Sequence, residues 1–184
     1  MTILYPTDTL YGLGVDATDA SAVSRLVELK GRDEKKPISI VVTDMEMADE
    51  YAVVTPLAKK LAEKFLPGKL TIVLNAKSNL PEQLTAGTGT VGIRIPNHPV
   101  PLELVRKIGK PITATSANVA DLPTLKTPKE ILVQFAGRAW MITEVIDEGA
   151  LPESEPSTVV DARGEIPIIV RAGAVSEEEI LRSV

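Results

Sequence analysis

At 184 residues and 44% apolar composition, the chain is long enough to bury a proper core, and residues 1–184 are expected to form a single domain. It has no cysteine and one histidine, which excludes disulfides and thiolate metal sites and leaves no conventional zinc set. A formal charge of −5 excludes a broad polyanion-binding surface, and 3% aromatic residues are too few for the stacking platforms of single-strand binders.

Thr2 to Tyr5 reads as the first strand, with neither the basic nor the apolar block of a signal peptide around it. No apolar run reaches the eighteen or so residues of a membrane span, so the expected location is the cytoplasm. Pro6-Thr7-Asp8-Thr9-Leu10-Tyr11-Gly12-Leu13-Gly14 follows, carrying two hydroxyls and then glycines that could bring backbone close to a ligand. Turn chemistry alone accounts for the same residues. Gly12 to Ala17 also fits the loose G-x-G-x-x-A dinucleotide pattern, but the next helix starts too late and Asp33, the acidic partner, sits among basic residues. No P-loop sequence is present.

Asp19 is placed to cap a helix with Val23, Leu26, Val27 and Lys30 on one face, and Gly31 ends it. Lys30 and Arg32 then lie at a helix C-terminus, where the macrodipole favours cations with or without a ligand. The cluster continues to Lys35 and Lys36 but is broken by Asp33 and Glu34, which suits one bound anion better than a duplex backbone. Ile38 to Val42 reads as a strand, Thr55-Pro56 opens a helix with Leu57, Leu61 and Phe65 a turn apart, and Pro67-Gly68 closes it. Leu70 to Leu74 and Val91 to Ile95 are strands. Arg94, among apolar neighbours, must find an anionic partner or reach solvent. His98 has no acid or nucleophile beside it in sequence and reads as structural, so a serine-hydrolase triad is not expected.

A helix after Pro101 buries Leu104, Val105 and Ile108 up to Gly109, and Ile112 to Ala114 forms a strand that breaks into Thr115-Ser116-Ala117-Asn118. Such a loop can wrap an anion through hydroxyl, amide and backbone N–H groups, or simply form a serine or Asx turn. Thr127 and Ser176 each start a helix through a capping box. Asp147 to Pro156 is a polar surface loop, and Thr158 to Asp161 and Ile168 to Val170 are strands, with Ser157 and Arg171 at their ends. Alternating strands and helices give an α/β fold.

In combination these segments resemble the threonylcarbamoyl-AMP synthases, whose domain is of YrdC/YciO type. The motifs are P-T-[DE]-T-x-Y-G-L-G at residues 6 to 14, K-x-R with a following K-P at 30 to 37, L-P-G at 66 to 68, V-G-I-R-I-P-x-H-P at 91 to 99, S-A-N at 116 to 118, P-S-T at 156 to 158 and R-x-G at 171 to 173. The resemblance implies a twisted open mixed sheet with flanking helices and a concave face that binds ATP and L-threonine. It implies condensation of threonine, bicarbonate and ATP to threonylcarbamoyl-AMP and pyrophosphate, for tRNA modification. Carried over, Lys30, Arg32, Ser116 and Asn118 are the catalytic set. Arg32, Lys36, Thr90, Ser116, Thr124 and Arg171 contact ATP, and Thr9, Arg94 and Ser157 hold threonine. Magnesium arrives on the ATP phosphates, and no protein-held metal is expected. A downstream threonylcarbamoyl transferase is the expected recipient of the product, with tRNA or double-stranded RNA as further contacts. The alternatives are a YciO-like or carbamoyl-transfer paralogue, which does not use free threonine, and a double-stranded RNA-binding module. Two departures stand out. Only five residues precede Pro6, where many members have a helix and a further strand, and Val41 stands where some have a histidine that helps to hold threonine. The second C-terminal domain of longer members is not expected here.

Overall fold

A computed structural model describes residues 1–184. Ten strands form one open mixed sheet: β1 (Ile3–Tyr5), β2 (Gly12–Gly14), β3 (Ser39–Val41), β4 (Ala52–Val53), β5 (Leu70–Ala76), β6 (Thr90–Arg94), β7 (Ile112–Ser116), β8 (Glu144–Val145), β9 (Thr158–Asp161) and β10 (Ile168–Arg171). The order is β10-β9-β5-β6-β3-β7-β2-β1-β8, with β4 beside the far end of β5. Pairs β1–β8, β3–β6 and β5–β9 are parallel and the others antiparallel.

Seven helices flank the sheet: α1 (Ala20–Lys30), α2 (Met45–Tyr51), α3 (Pro56–Phe65), α4 (Glu82–Thr85), α5 (Pro99–Ile108), α6 (Pro128–Phe135) and α7 (Glu177–Leu181). Their ends follow the capping chemistry of the sequence. Asp19 accepts from the Ser21 and Ala22 amides, and Gly31 closes α1 in the left-handed region at φ 60°. Thr55 caps α3 ahead of Pro56, and both capping boxes form, at Thr127/Glu130 and Ser176/Glu179. α5 begins at Pro99, two residues before the expected Pro101, because His98 Nδ1 accepts from Val100 N and supplies the cap.

The glycine segment corrects the turn reading: Gly12–Gly14 is a strand paired with both β1 and β7. No helix follows until Ala20, in keeping with the rejection of a dinucleotide turn. These glycines make room for the Tyr5 ring, since a Cβ on Gly12 would lie 2.9 Å from Tyr5 Cζ and one on Gly14 2.9 Å from Tyr5 Cε1. β4, β8, α2 and α4 also went unpredicted; at two to seven residues each they carry too little periodicity to be read.

Strand alternation divides the apolar residues between two faces. Leu4, Ile40, Ile72, Ile93 and Val160 point into a 35-residue core shared with Leu26, Leu61, Leu84, Phe135 and Ile180 of the helices. Ile3, Tyr5, Val41 and Ile112 point the other way and meet Leu104 and Val105 of α5 in a 6-residue cluster, with Met47, Ile108 and Ile146 among the partly buried residues packed against it. The second face is therefore covered over part of its area, and the uncovered part is where a ligand can enter.

Candidate functional site

The uncovered face forms the floor of a cavity of about 1190 Å³, above the usual ~300–1,000 Å³ of a site for one drug-sized molecule. The floor is built by period 2: Ser39 and Val41 of β3, Thr71 and Val73 of β5, Thr90, Gly92 and Arg94 of β6, Ala114 and Ser116 of β7, and Val159 and Asp161 of β9. On β3, β5, β6 and β9 the alternate neighbours Ile40, Ile72, Val91, Ile93 and Val160 are buried in the core. Small residues at the centre keep the floor low. A Cβ on Gly92 would fall 2.3 Å from Ser39 Oγ and 2.9 Å from Thr71 Cγ2. Gly92→Val is accordingly expected to weaken the binding of any ligand seated on this floor at least tenfold in calorimetry, alongside an overpacking cost of about 1–3 kcal/mol in chemical unfolding.

Nine of the positions carried over from sequence line this one cavity: Thr9, Arg32, Lys36, Thr90, Arg94, Ser116, Thr124, Ser157 and Arg171. Thr90 and Ser116 lie toward one end of the strands, with Lys36 and Pro37 at the same end of β3. Arg94 and Thr71 lie toward the other, and Ser157 directly precedes the Thr158 that pairs with Leu70. Ser157 Oγ hydrogen-bonds Thr71 Oγ1 at 2.9 Å, and Arg171 Nη2 donates to Ser157 O at 2.6 Å. Thr90 Oγ1 shares a 2.8 Å hydrogen bond with Thr88 Oγ1.

Lys30 and Asn118 stand behind the wall instead of in it. Lys30 is 2% exposed, and its ammonium donates to Ser116 O, to Asn118 O at 2.9 Å and to Asn118 Oδ1 at 3.5 Å. Ser116 Oγ donates to the same Oδ1 at 2.5 Å, while Asn118 Nδ2 closes the loop onto Val119 O and Leu122 O. Lys30 therefore fixes the loop that presents the Ser116 hydroxyl. Burial, then the Arg32 charge, pushes Lys30 down to about 7.

The charge balance of the wall points to an anion. Arg163 is paired with Asp161 at 2.6 Å and Arg94 with Asp8 at 2.7 Å. Arg32, Lys36 and Arg171 line the cavity with no carboxylate within salt-bridge distance. Arg32 donates from Nη2 to Pro37 O at 2.9 Å, and its Nε is buried without a partner. Burial lowers the Arg32 and Arg171 pKa values first; the charge of Arg171 then acts on Arg32 and that of Arg94 on Arg171. A row of mutually repelling guanidinium groups in a protein of net charge −5 is stabilised by an incoming polyanion. No group of three or more His, Cys, Asp or Glu side chains is placed to hold a metal. A divalent cation at this site would thus be carried by the anion's own oxygens.

Sequence reading missed Asp8, Thr71, Asp161 and Arg163. The signal for the strand residues lay in alternation: Thr90, Gly92 and Arg94 between Val91 and Ile93 mark one polar face, as Thr71 does between Leu70 and Ile72. The segment Ile146 to Pro156 forms a further wall. Tyr11 pins it, with its hydroxyl donating to Gly149 O at 2.9 Å and accepting from Glu148 N at 3.0 Å. His98 Nε2 meets Glu148 Oε2 at 3.2 Å, and Lys126 meets Glu153 at 2.6 Å. His98 caps α5 and tethers this segment, and Glu148 is the acidic neighbour that sequence proximity did not show. Between this segment and Thr124, Leu125 and Lys126 a smaller hollow of about 480 Å³ opens beside the main cavity. No helix is long and apolar enough to cross a membrane.

Comparison with known proteins agrees with this architecture. The Sua5/YciO/YrdC family model, described as "Telomere recombination", matches residues 1–173. A threonylcarbamoyl-AMP synthase of Bacillus subtilis is 35% identical over 180 residues, covering 97% of this chain and 51% of that protein. One of Pyrococcus abyssi is 36% identical over 179 residues, covering 97% and 52%. The chain thus spans about half the length of these relatives. The crystal structure of Pyrococcus abyssi Sua5 complexed with L-threonine superposes with a TM-score of 0.92 at 35% identity, over 100% of this chain and 53% of that one. Escherichia coli YciO superposes with a TM-score of 0.86 at 26% identity, over 98% and 86%. The mixed open sheet, the residues that line its uncovered face and these matches agree: the chain belongs to the Sua5/YciO/YrdC family.

Proposed function

We propose that residues 1–184 act as one catalytic unit that condenses L-threonine, bicarbonate and ATP into threonylcarbamoyl-AMP, releasing pyrophosphate and water. The observation that carries this reading is the set of cations without carboxylate partners, Arg32, Lys36 and Arg171, facing the same cavity as Thr9, Arg94 and Ser157. The first set suits a triphosphate and the second a small zwitterion with a hydroxyl. The L-threonine complex of the Pyrococcus abyssi relative supports the amino-acid assignment.

In this reaction the threonine amine and bicarbonate combine to a carbamate with loss of water. A carbamate oxygen then attacks the α-phosphorus in line, and the bond to the β-phosphate oxygen breaks to release pyrophosphate. No protein nucleophile is needed. Arg32, Lys36 and the Ser116 hydroxyl neutralise and orient the phosphoryl oxygens, while Arg94 holds the amino-acid carboxylate. Magnesium would arrive with the ATP phosphates and would supply neutralisation of negative charge there, leaving Arg32, Lys36 and the Ser116 hydroxyl to orient them. Thr90 and Thr124 contact the nucleotide farther out. The product adenylate goes to a threonylcarbamoyl transferase acting on tRNA.

The test is pyrophosphate release from the purified chain with ATP and bicarbonate, with and without L-threonine, with the adenylate identified by mass. Threonine-dependent release supports the reading. Release independent of threonine favours carbamoyl-adenylate chemistry of the paralogue type, to which Val41 on the floor is suited because it offers threonine no hydrogen bond. RNA affinity that ATP does not displace, with no pyrophosphate formed, favours a binding module.

A further inference from the structure

Arg94 is held in an unusual way. A buried arginine whose only need is charge neutralisation commonly meets its carboxylate through two parallel N–H···O bonds. Here a single nitrogen, Nη2, donates both to Asp8 Oδ1 at 2.7 Å and to Thr9 Oγ1 at 2.6 Å. The second carboxylate oxygen, Asp8 Oδ2, is turned away to accept from Asn97 N at 3.2 Å. Nε is buried with no partner, and no hydrogen bond occupies Nη1. Arg94 lines the cavity and Asp8 does not. The guanidinium is thus clamped by one prong from behind, while its remaining donors are left for something else.

Asp8 is well fixed for this task. Its side chain is 9% exposed, and it ties the segment after β1 to Arg94 at the end of β6, 86 residues on, and to Asn97 in the turn before α5, 89 residues on. Thr9, its neighbour, is itself tied to Thr7 Oγ1 at 3.1 Å. Rotation of Arg94 about its long side chain would break these bonds together, which fixes where its free donors point.

We propose that Asp8 is a positioning residue for the amino-acid subsite: it orients Arg94 so that the unused face of the guanidinium receives the substrate carboxylate. This rests on the synthase reading above. Through Arg94 its charge serves the binding of the amino acid and leaves the nucleotide end alone.

The experiment is a double-mutant cycle of Asp8→Asn and Arg94→Lys, with Asp8→Glu as a charge-retaining control. L-threonine and ATP binding are read by calorimetry, threonine KM and kcat by pyrophosphate release, and folding by thermal melting. Asp8→Asn should raise the threonine KM and Kd about 10- to 100-fold with ATP affinity within about twofold, and Asp8→Glu should recover part of the loss. On the Arg94→Lys background the same change should add less than about threefold, because the two act as one unit. Unchanged or tighter threonine binding in Asp8→Asn, or full additivity in the cycle, overturns the proposal; tighter binding would make Asp8 a competitor for Arg94. If Asp8→Asn does not fold, Asp8→Glu decides by the split between threonine and ATP affinity. If the wild-type chain binds L-threonine but releases no pyrophosphate, the synthase reading fails and the calorimetric cycle still decides the role of Asp8. If it binds none, both fail.

Discussion

Arg32→Ala is expected to lose on the order of a hundredfold or more in kcat for threonine-dependent pyrophosphate release, the scale of removing one preorganised donor from a developing oxyanion. Arg32 makes one hydrogen bond to the protein, to Pro37 O, and no ion pair, while its Nε is buried and unpartnered. Its charge is repelled by Arg171 and costs desolvation. Taking it away therefore relieves strain in the unliganded fold, and thermal melting should stay level or rise. Activity falling while stability holds separates a ligand-facing cation from a structural one. Retention of most adenylate synthesis would reject the assignment.

Lys30→Met is expected to change both activity and the pH dependence of stability. In the folded protein burial and Arg32 hold the Lys30 ammonium at about 7, against 10.5 for a free lysine. Below pH 7 both the folded and unfolded chains carry the proton, and the fold bears the full cost of burying it. Between about 7 and 10.5 the folded chain sheds the proton while the unfolded chain keeps it, so the unfolded state binds more protons and stability rises with pH. The rise totals on the order of 3–5 kcal/mol over that window. Urea unfolding from pH 6.5 to 9.5 should show this slope in the wild type and a flatter one in Lys30→Met. The variant also strands Ser116 O and Asn118 O, which Lys30 satisfies. The Ser116 hydroxyl then loses its fixed setting, and kcat should fall on the order of a hundredfold. A triphosphate beside Arg32 draws the pKa of Lys30 back up, so ATP binding near pH 7.5 should take up protons, seen by calorimetry in buffers of different ionisation enthalpy.

The two residues show how one motif divides its labour. In Lys30-Gly31-Arg32 the left-handed glycine turns the chain at the end of α1, so the side chains on either side of it part company. Lys30 enters the core side of the Ser116–Asn118 loop, and Arg32 enters the cavity. Sequence spacing alone made them equivalent cations at a helix end.

What the sequence determined by itself was local. The helix starts at Asp19, Thr55, Thr127 and Ser176 rest on side chains that bond amides two or three residues away, and the long strands rest on alternation that needs no distant partner. The family was legible too, because its motifs sit at the junctions of these elements. Tertiary structure decided everything that depended on contacts far apart in the chain: that Gly12–Gly14 is a strand fitted under Tyr5, that Arg94 is clamped by Asp8, and that Lys30 is sealed behind the wall. A pattern of residue types reports which groups are present, whereas burial and charge pairing are properties of the neighbours that the sheet brings alongside. Pairing β6 next to β3, and β7 next to β2, put those neighbours in place.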